Sequence, residues 1–196
     1  MPRINAEYRE DAKKKIIGAA LEIAVEKGWD AVTLEAIAQK VGVTKGALYA
    51  YFENRDALWH EVLFEVFKNI RIGIETTLGT TDDLDTMILN LADLIFDQQK
   101  PYVTIFYQLP TRLPQDPRCR EEFTRIFDGN RILIRDCLAR KKAEGKLSNC
   151  VDPETASTTI IAMTMGLRLG SLLLGRDSDV SKKIWIDSVE RILLIE

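Results

Sequence analysis

The stretch LEAIAQKVGVTKGALYAY, residues 34–51, decides the fold. Its apolar or small positions are Ile37, Ala38, Val41, Val43, Leu48 and Tyr51, and Gly42 separates two short runs of helical spacing. Two helices joined by a tight turn need this arrangement. Ala38 is small enough to let a second helix cross closely. Gly42 permits a left-handed turn conformation without a Cβ clash. Ile37, Val41, Val43 and Leu48 are placed to hold the pair against a further helix. Thr33 can cap the first helix and Thr44 the second, each hydroxyl accepting from a free amide of the first turn. The pattern predicts a helix-turn-helix.

The residues that this packing leaves outside carry the chemistry. They are Thr44, Lys45, Gly46, Ala47 and Tyr49. Glycine costs a helix about 1 kcal/mol relative to alanine, so Gly46 makes sense where the helix start must approach something external. Free amides there suit a phosphate. Lys45 adds a point charge, and Tyr49 offers a phenol.

Outward from this segment the chain reads as helix after helix. Residues 9–27 carry Ile16, Ile17, Ala20, Leu21 and Ala24 on one face and stop at Gly28. Asn54 can cap a fourth helix over 55–77. Residues 82–99 place Leu84, Met87, Ile88, Leu91, Leu94 and Ile95 together, and Asp82, Asp83 and Asp85 read as a dipole-compensated helix start. Pro101 can open a sixth helix. A proline-punctuated loop covers 109–117, and the helix after it stops at Gly145. Asp152-Pro153 is a cap followed by proline at the first helical position. That helix runs to Leu174, and Asp179 or Ser181 opens the last. The expectation is an all-α protein of about nine helices. A three-helix DNA-binding domain over 1–54 precedes a helical bundle over 55–196.

Composition sets further bounds. The net charge is −3, and residues 1–60 hold nine basic and nine acidic side chains. Bulk charge therefore supplies no attraction to nucleic acid, and the case rests on local geometry. Residues 1–15 are rich in charge where a signal peptide would be apolar, and no uninterrupted apolar run reaches the ~18 residues of a membrane span. A cytoplasmic protein with no membrane partner is expected. Cys119, Cys137 and Cys150 form no CxxC pair and read as free thiols in or near a helical core. His60 is the sole histidine. It lacks a neighbouring His or Cys for metal binding and a placed nucleophile for catalysis. Phosphate loops, dinucleotide fingerprints and nucleophile elbows are missing. No enzyme activity, cofactor or metal is expected.

The run GWDAVTLEAIAQKVGVTKGALYAYFENRDAL, residues 28–58, resembles the N-terminal domain of the tetracycline-repressor (TetR) family. The resemblance is strong over residues 10–60; beyond them only helix number and length match. It implies an effector-controlled transcriptional regulator, most often a repressor, binding double-stranded operator DNA as a homodimer. An alternative within the family is control by a protein partner without a small-molecule effector. Carried onto this sequence, Thr33 meets a phosphate. Thr44, Lys45, Gly46, Ala47 and Tyr49 lie in or beside the major groove, with Lys45 on guanine as the one direct readout. Tyr51 stands where the family often has His, and Arg55 replaces the common Lys; both are expected at phosphates. Arg3, Arg9 and Lys13 to Lys15 form a basic arm.

The resemblance also implies an effector pocket in the C-terminal bundle, for which Leu91, Ile95, Phe106, Phe123, Phe127 and Met163 are apolar candidates and Tyr107 or Arg168 the polar ones. Arg168 is the sole charge between Glu154 and Arg176. It needs a partner or an exit to water, and can serve an anionic effector or a subunit contact. The last two helices are expected to form the dimer interface. Ala162, Gly166 and Gly170 make a ridge of small residues spaced by four, suited to close i±4 packing. Leu167, Leu174, Trp185, Val189 and Ile192 add apolar area nearby. Gly73 is read as a bend point or a packing glycine.

Overall fold

A computed structural model describes residues 2–99, 102–106 and 113–194. Among them are nine α-helices and no strand: α1 Pro2–Lys27, α2 Leu34–Val41, α3 Lys45–Leu48, α4 Arg55–Thr80, α5 Leu84–Asp93, α6 Val103–Phe106, α7 Pro117–Ala143, α8 Pro153–Leu174 and α9 Ser178–Leu193. The all-α expectation holds. Its main departures are an earlier start to α1, an α3 of one turn, and an α5 that gives way at Leu94–Gln98 to a π-helical turn.

The chain forms two compact units, Met1–Phe67 with Thr104–Cys119, and Lys68–Val103 with Arg120–Glu196. This corrects the expected boundary at residue 54. The reason is burial: Leu58, Trp59, Val62 and Val66 of α4 are fully buried. Trp59 meets Trp29 edge-on at 4.5 Å between ring centroids. The start of α4 thus completes the N-terminal core, with Ile16, Ala20 and Ala24 of α1 and Ile37 and Leu48 of the helix pair. Ion pairs brace that unit: Lys40 with Glu22 at 2.8 Å, and Lys13 with Glu61 at 2.8 Å. His60 Nε2 sits 2.9 Å from Asp116 Oδ2, so the lone histidine has a structural partner.

In the second unit Ile88, Leu91, Ile134, Leu138, Ile160, Trp185 and Val189 form the core. Trp185 Nε1 donates to Thr164 Oγ1 at 2.6 Å, joining α9 to α8. The Asp82–Asp85 carboxylates are used locally. Asp83 caps α5 by accepting from Thr86 N, and Asp82 receives the buried Lys141 ammonium at 2.6 Å. Asp152 caps α8 through Thr155 N with Pro153 behind it, as expected. Gly73 is a packing glycine: a Cβ there would lie 2.8 Å from Leu94 Cδ1. Cys119 and Cys137 are buried and Cys150 is exposed. Burial pushes the Cys137 thiol up, away from the reactive thiolate. By length and hydropathy α8 could cross a membrane. Its inner side, however, carries the polar Ser157, Thr164, Arg168 and Ser171, each hydrogen-bonded within the unit.

Candidate nucleic-acid interface

Local sequence builds the helix pair. Thr33 adopts extended backbone and its hydroxyl accepts from Ala36 N at 3.1 Å, starting α2. Gly42 ends it in the left-handed region at φ 77°, its N–H donating to Ala38 O. Thr44 then caps α3 by accepting from Ala47 N at 3.3 Å. A helix of four residues has too few internal bonds to persist alone. Leu48, fully buried, anchors it to the core.

Around that anchor Thr44, Lys45, Gly46, Ala47 and Tyr49 are all exposed. A side chain at Gly46 would enter open space, its nearest neighbour being Thr44 Oγ1 at 3.9 Å. Nothing inside the protein requires glycine there. Thr33 is exposed on the start of α2, and Tyr51 is half-buried.

Two parts of the expected site differ. Arg55 is half-buried; its Nη2 donates to the Trp29 carbonyl at 2.6 Å and its guanidinium lies 5.7 Å over the Trp29 ring. It braces α4 against the turn after α1 instead of standing on the open face. In the basic arm, Arg9 donates to Ala50 O at 2.9 Å and Lys13 pairs with Glu61, so these cations fix the fold. Lys14 and Lys15 are exposed. Glu35, on the exposed side of α2, was not singled out by sequence and forms an ion pair with Lys45. Lys45 lowers the Glu35 carboxyl below its ordinary range, and Glu35 raises the Lys45 amine.

In the second unit, Leu91 is buried, Ile95 and Met163 are half-buried, and Phe123 and Phe127 stack at 5.9 Å. Phe106 belongs to the other unit, where it packs on Phe67 at 5.8 Å, and Tyr107 lies outside the described residues. A groove of about 500 Å3 between the start of α5 and the end of α9 is lined by none of these candidates.

Of the expected interface residues, Ala162, Gly166 and Leu174 are exposed, and Leu167, Gly170 and Ile192 half-buried. Trp185 and Val189 are in the subunit's own core, at 1% and 2% exposure, which corrects their placement on an outward face. The apolar surface left outside runs through Met165, Leu169 and Leu173 on α8 and Val180 and Ile184 on α9. Its α8 residues repeat every four positions, the signal that could have found it.

The described residues are helical, and the N-terminal unit presents a capped, core-anchored helix-turn-helix, the architecture of many DNA-binding domains. Comparison with known proteins narrows the class. The profile described as "Bacterial regulatory proteins, tetR family" matches residues 16–62. The HTH-type transcriptional regulator YdeS of Bacillus subtilis is 27% identical over 75% of this chain and 73% of its own. The HTH-type regulator SrpR of Pseudomonas putida is 26% identical over 85% and 78%. IcaR of Staphylococcus epidermidis, a negative regulator of a biofilm operon, is 30% identical over 50% and 52%. Among solved structures, a TetR regulator from Haloarcula marismortui superposes with a TM-score of 0.80 at 16% identity, covering 94% of this chain and 97% of that one. A transcriptional regulator from Saccharomonospora viridis, crystallised with choline, also gives 0.80, at 18% identity and 92% and 96% coverage. These matches support a DNA-binding transcriptional regulator of the TetR type, with residues 16–62 as its family-matched segment and the fold shared along the chain.

Proposed function

We propose that the chain is a homodimeric repressor released from its operator by a small, largely apolar effector. The observation that carries the DNA-facing part is the exposed set Thr44–Ala47 and Tyr49 around the buried Leu48. On this reading Lys45 reads a base edge, while Thr33, Thr44, Tyr49 and Tyr51 set the register through phosphates. Arg55 reaches a phosphate only through donors not committed to Trp29.

Support for a dimer comes from the α8–α9 surface. Six large apolar side chains, Met165, Leu169, Leu173, Leu174, Val180 and Ile184, stand exposed on two neighbouring helices, beside the small residues Ala162 and Gly166. An apolar patch of this kind marks an interaction surface. A two-fold contact there would link two reading heads and match a pseudo-palindromic operator. Repression is favoured by the negative regulation named for IcaR. Effector control is favoured by the half-buried aromatic and sulfur side chains of α7 and α8.

The test is selection of bound sequences from genomic DNA with the purified protein, then affinity as a function of salt. Lys45→Ala and Tyr49→Phe should each retain the wild-type melting temperature and weaken operator binding, and Lys45→Ala alone, which removes a cation, should lower the salt slope, by about one. Unchanged affinity in both variants would overturn the assignment of α3 as the reading element.

A further inference from the structure

We propose that Arg55 serves operator binding as a positioning residue: through Trp29 it sets the place of Thr33, instead of contacting DNA itself. The proposal deepens the DNA-binding reading above and rests on the phosphate contact given there to Thr33.

The N-terminal unit supplies a continuous chain of contacts for this. After α1, Gly28 takes a φ of 81°, which lets the backbone turn into the 3-10 turn Trp29–Ala31. Val32 N closes that turn by donating to Trp29 O at 3.0 Å. Thr33 follows directly, its hydroxyl accepting from Ala36 N to start α2. The Trp29 carbonyl thus governs where α2 begins. From the other side Arg55 Nη2 donates to the same oxygen at 2.6 Å. A carbonyl oxygen has two lone pairs, and here they join the start of α4 to the turn that launches α2.

More than that bond turns Arg55 inward. Its guanidinium lies 5.7 Å over the Trp29 ring, and that ring meets Trp59 of α4 edge-on, with centroids 4.5 Å apart. Nε of Arg55 is buried and has no hydrogen-bond partner. Two nitrogens of the guanidinium are thus given to the protein. Thr33, by contrast, is exposed, between the buried Val32 and Leu34. A planar guanidinium can bond a carbonyl while lying over an indole, whereas a lysine ammonium is a point charge on a flexible stem. A phosphate contact alone accepts either cation; the double contact with Trp29 requires arginine.

The experiment measures operator affinity against salt for full-length Arg55→Met, Arg55→Lys, Thr33→Val and the double variants, with melting temperature as control. Thr33→Val should weaken binding. Arg55→Met should weaken it about fivefold or more, within the range for coupled neighbours, at a salt slope close to wild type, since no cation leaves a phosphate. Its effect should shrink in the Thr33→Val background, because both changes spoil one contact. Arg55→Lys should weaken binding as well, although it keeps the charge. A slope lower by about one in Arg55→Met makes Arg55 a phosphate contact and overturns the proposal. So does full additivity with Thr33→Val, wild-type affinity in Arg55→Lys, or a lower melting temperature at unchanged operator affinity, the mark of a purely structural brace. If Arg55→Met does not fold, Arg55→Lys and its additivity with Thr33→Val decide. Thr33→Val at wild-type affinity removes the phosphate contact itself, and the proposal with it. If Thr33→Val is weaker and Arg55 fails any of these tests, the proposal falls alone.

Discussion

Lys45 does not wait in solvent for DNA; it is held by Glu35. The pair is exposed, and Lys45 holds the Glu35 carboxyl below its ordinary range. A phosphate or base therefore competes with that carboxylate for the amine. Glu35→Gln removes that competitor and one negative charge from the DNA face. It should tighten binding to random-sequence DNA severalfold at low salt with little change in melting temperature, read by fluorescence anisotropy against ionic strength. Weaker binding would mean that Glu35 orients Lys45 productively. The exposure of Lys45 and Tyr49 was legible in the sequence, because Leu48 alone in that short helix fits the core. The fate of Arg55 was not. Its acceptor is the carbonyl of Trp29, 26 residues earlier, placed by the 3-10 turn Trp29–Ala31, and no local pattern shows such a contact. The contact of Arg168 with Gln99, 69 residues earlier, escaped notice for the same reason.

Element by element, the two decisive helices differ in what sustains them. α3 is one turn long, so a cap and a single anchor carry it. Leu48→Ala should cost about 2–5 kcal/mol, the range for emptying a buried leucine site, and should lose operator binding together with stability in chemical denaturation. Thr44→Val should remove only the cap, about 1 kcal/mol. In α4, Gly73→Ala sets a helix-propensity gain of about 1 kcal/mol against overpacking that typically costs 1–3 kcal/mol. The Cβ would meet Leu94, itself buried on the π turn, so the clash should prevail and stability should fall by roughly 1 kcal/mol. A stabilised variant would show that Leu94 can move. Helix boundaries and caps were readable because Asp152-Pro153, Thr33 and Gly42 act on adjacent backbone. The π turn was not, because apolar residues continue across it at ordinary helical spacing.

For the whole molecule, the question is how a chain of net charge −3, with a neutral N-terminal sixty residues, holds a polyanion. One reading head offers few phosphate contacts, and bulk attraction is missing, so the proposed repressor would gain tight binding by joining two heads. Linking them makes the second contact intramolecular, and overall affinity can exceed that of either head by 10²–10⁴-fold. Periodicity shows that Trp185, Val189 and Ile192 share a face of α9, but only the folded chain shows that Trp185 and Val189 belong to its own core while Ile192 is half-buried. The surface we propose for a second copy is therefore the exposed one through Met165, Leu169, Leu173, Val180 and Ile184. Leu169→Arg and Leu173→Arg alter exposed positions, so the fold should survive with little change in melting temperature. In a two-fold contact each substitution acts twice and buries two unpaired charges. Light scattering should give a monomer, and operator affinity should fall by about 100-fold or more while binding to a single half-site is retained. Leu89→Arg, equally exposed but on α5, is the control and should stay dimeric. If both α8 variants remain dimeric with normal operator binding, the assembly uses another surface. A wild type that is monomeric at micromolar concentration would remove the dimer itself.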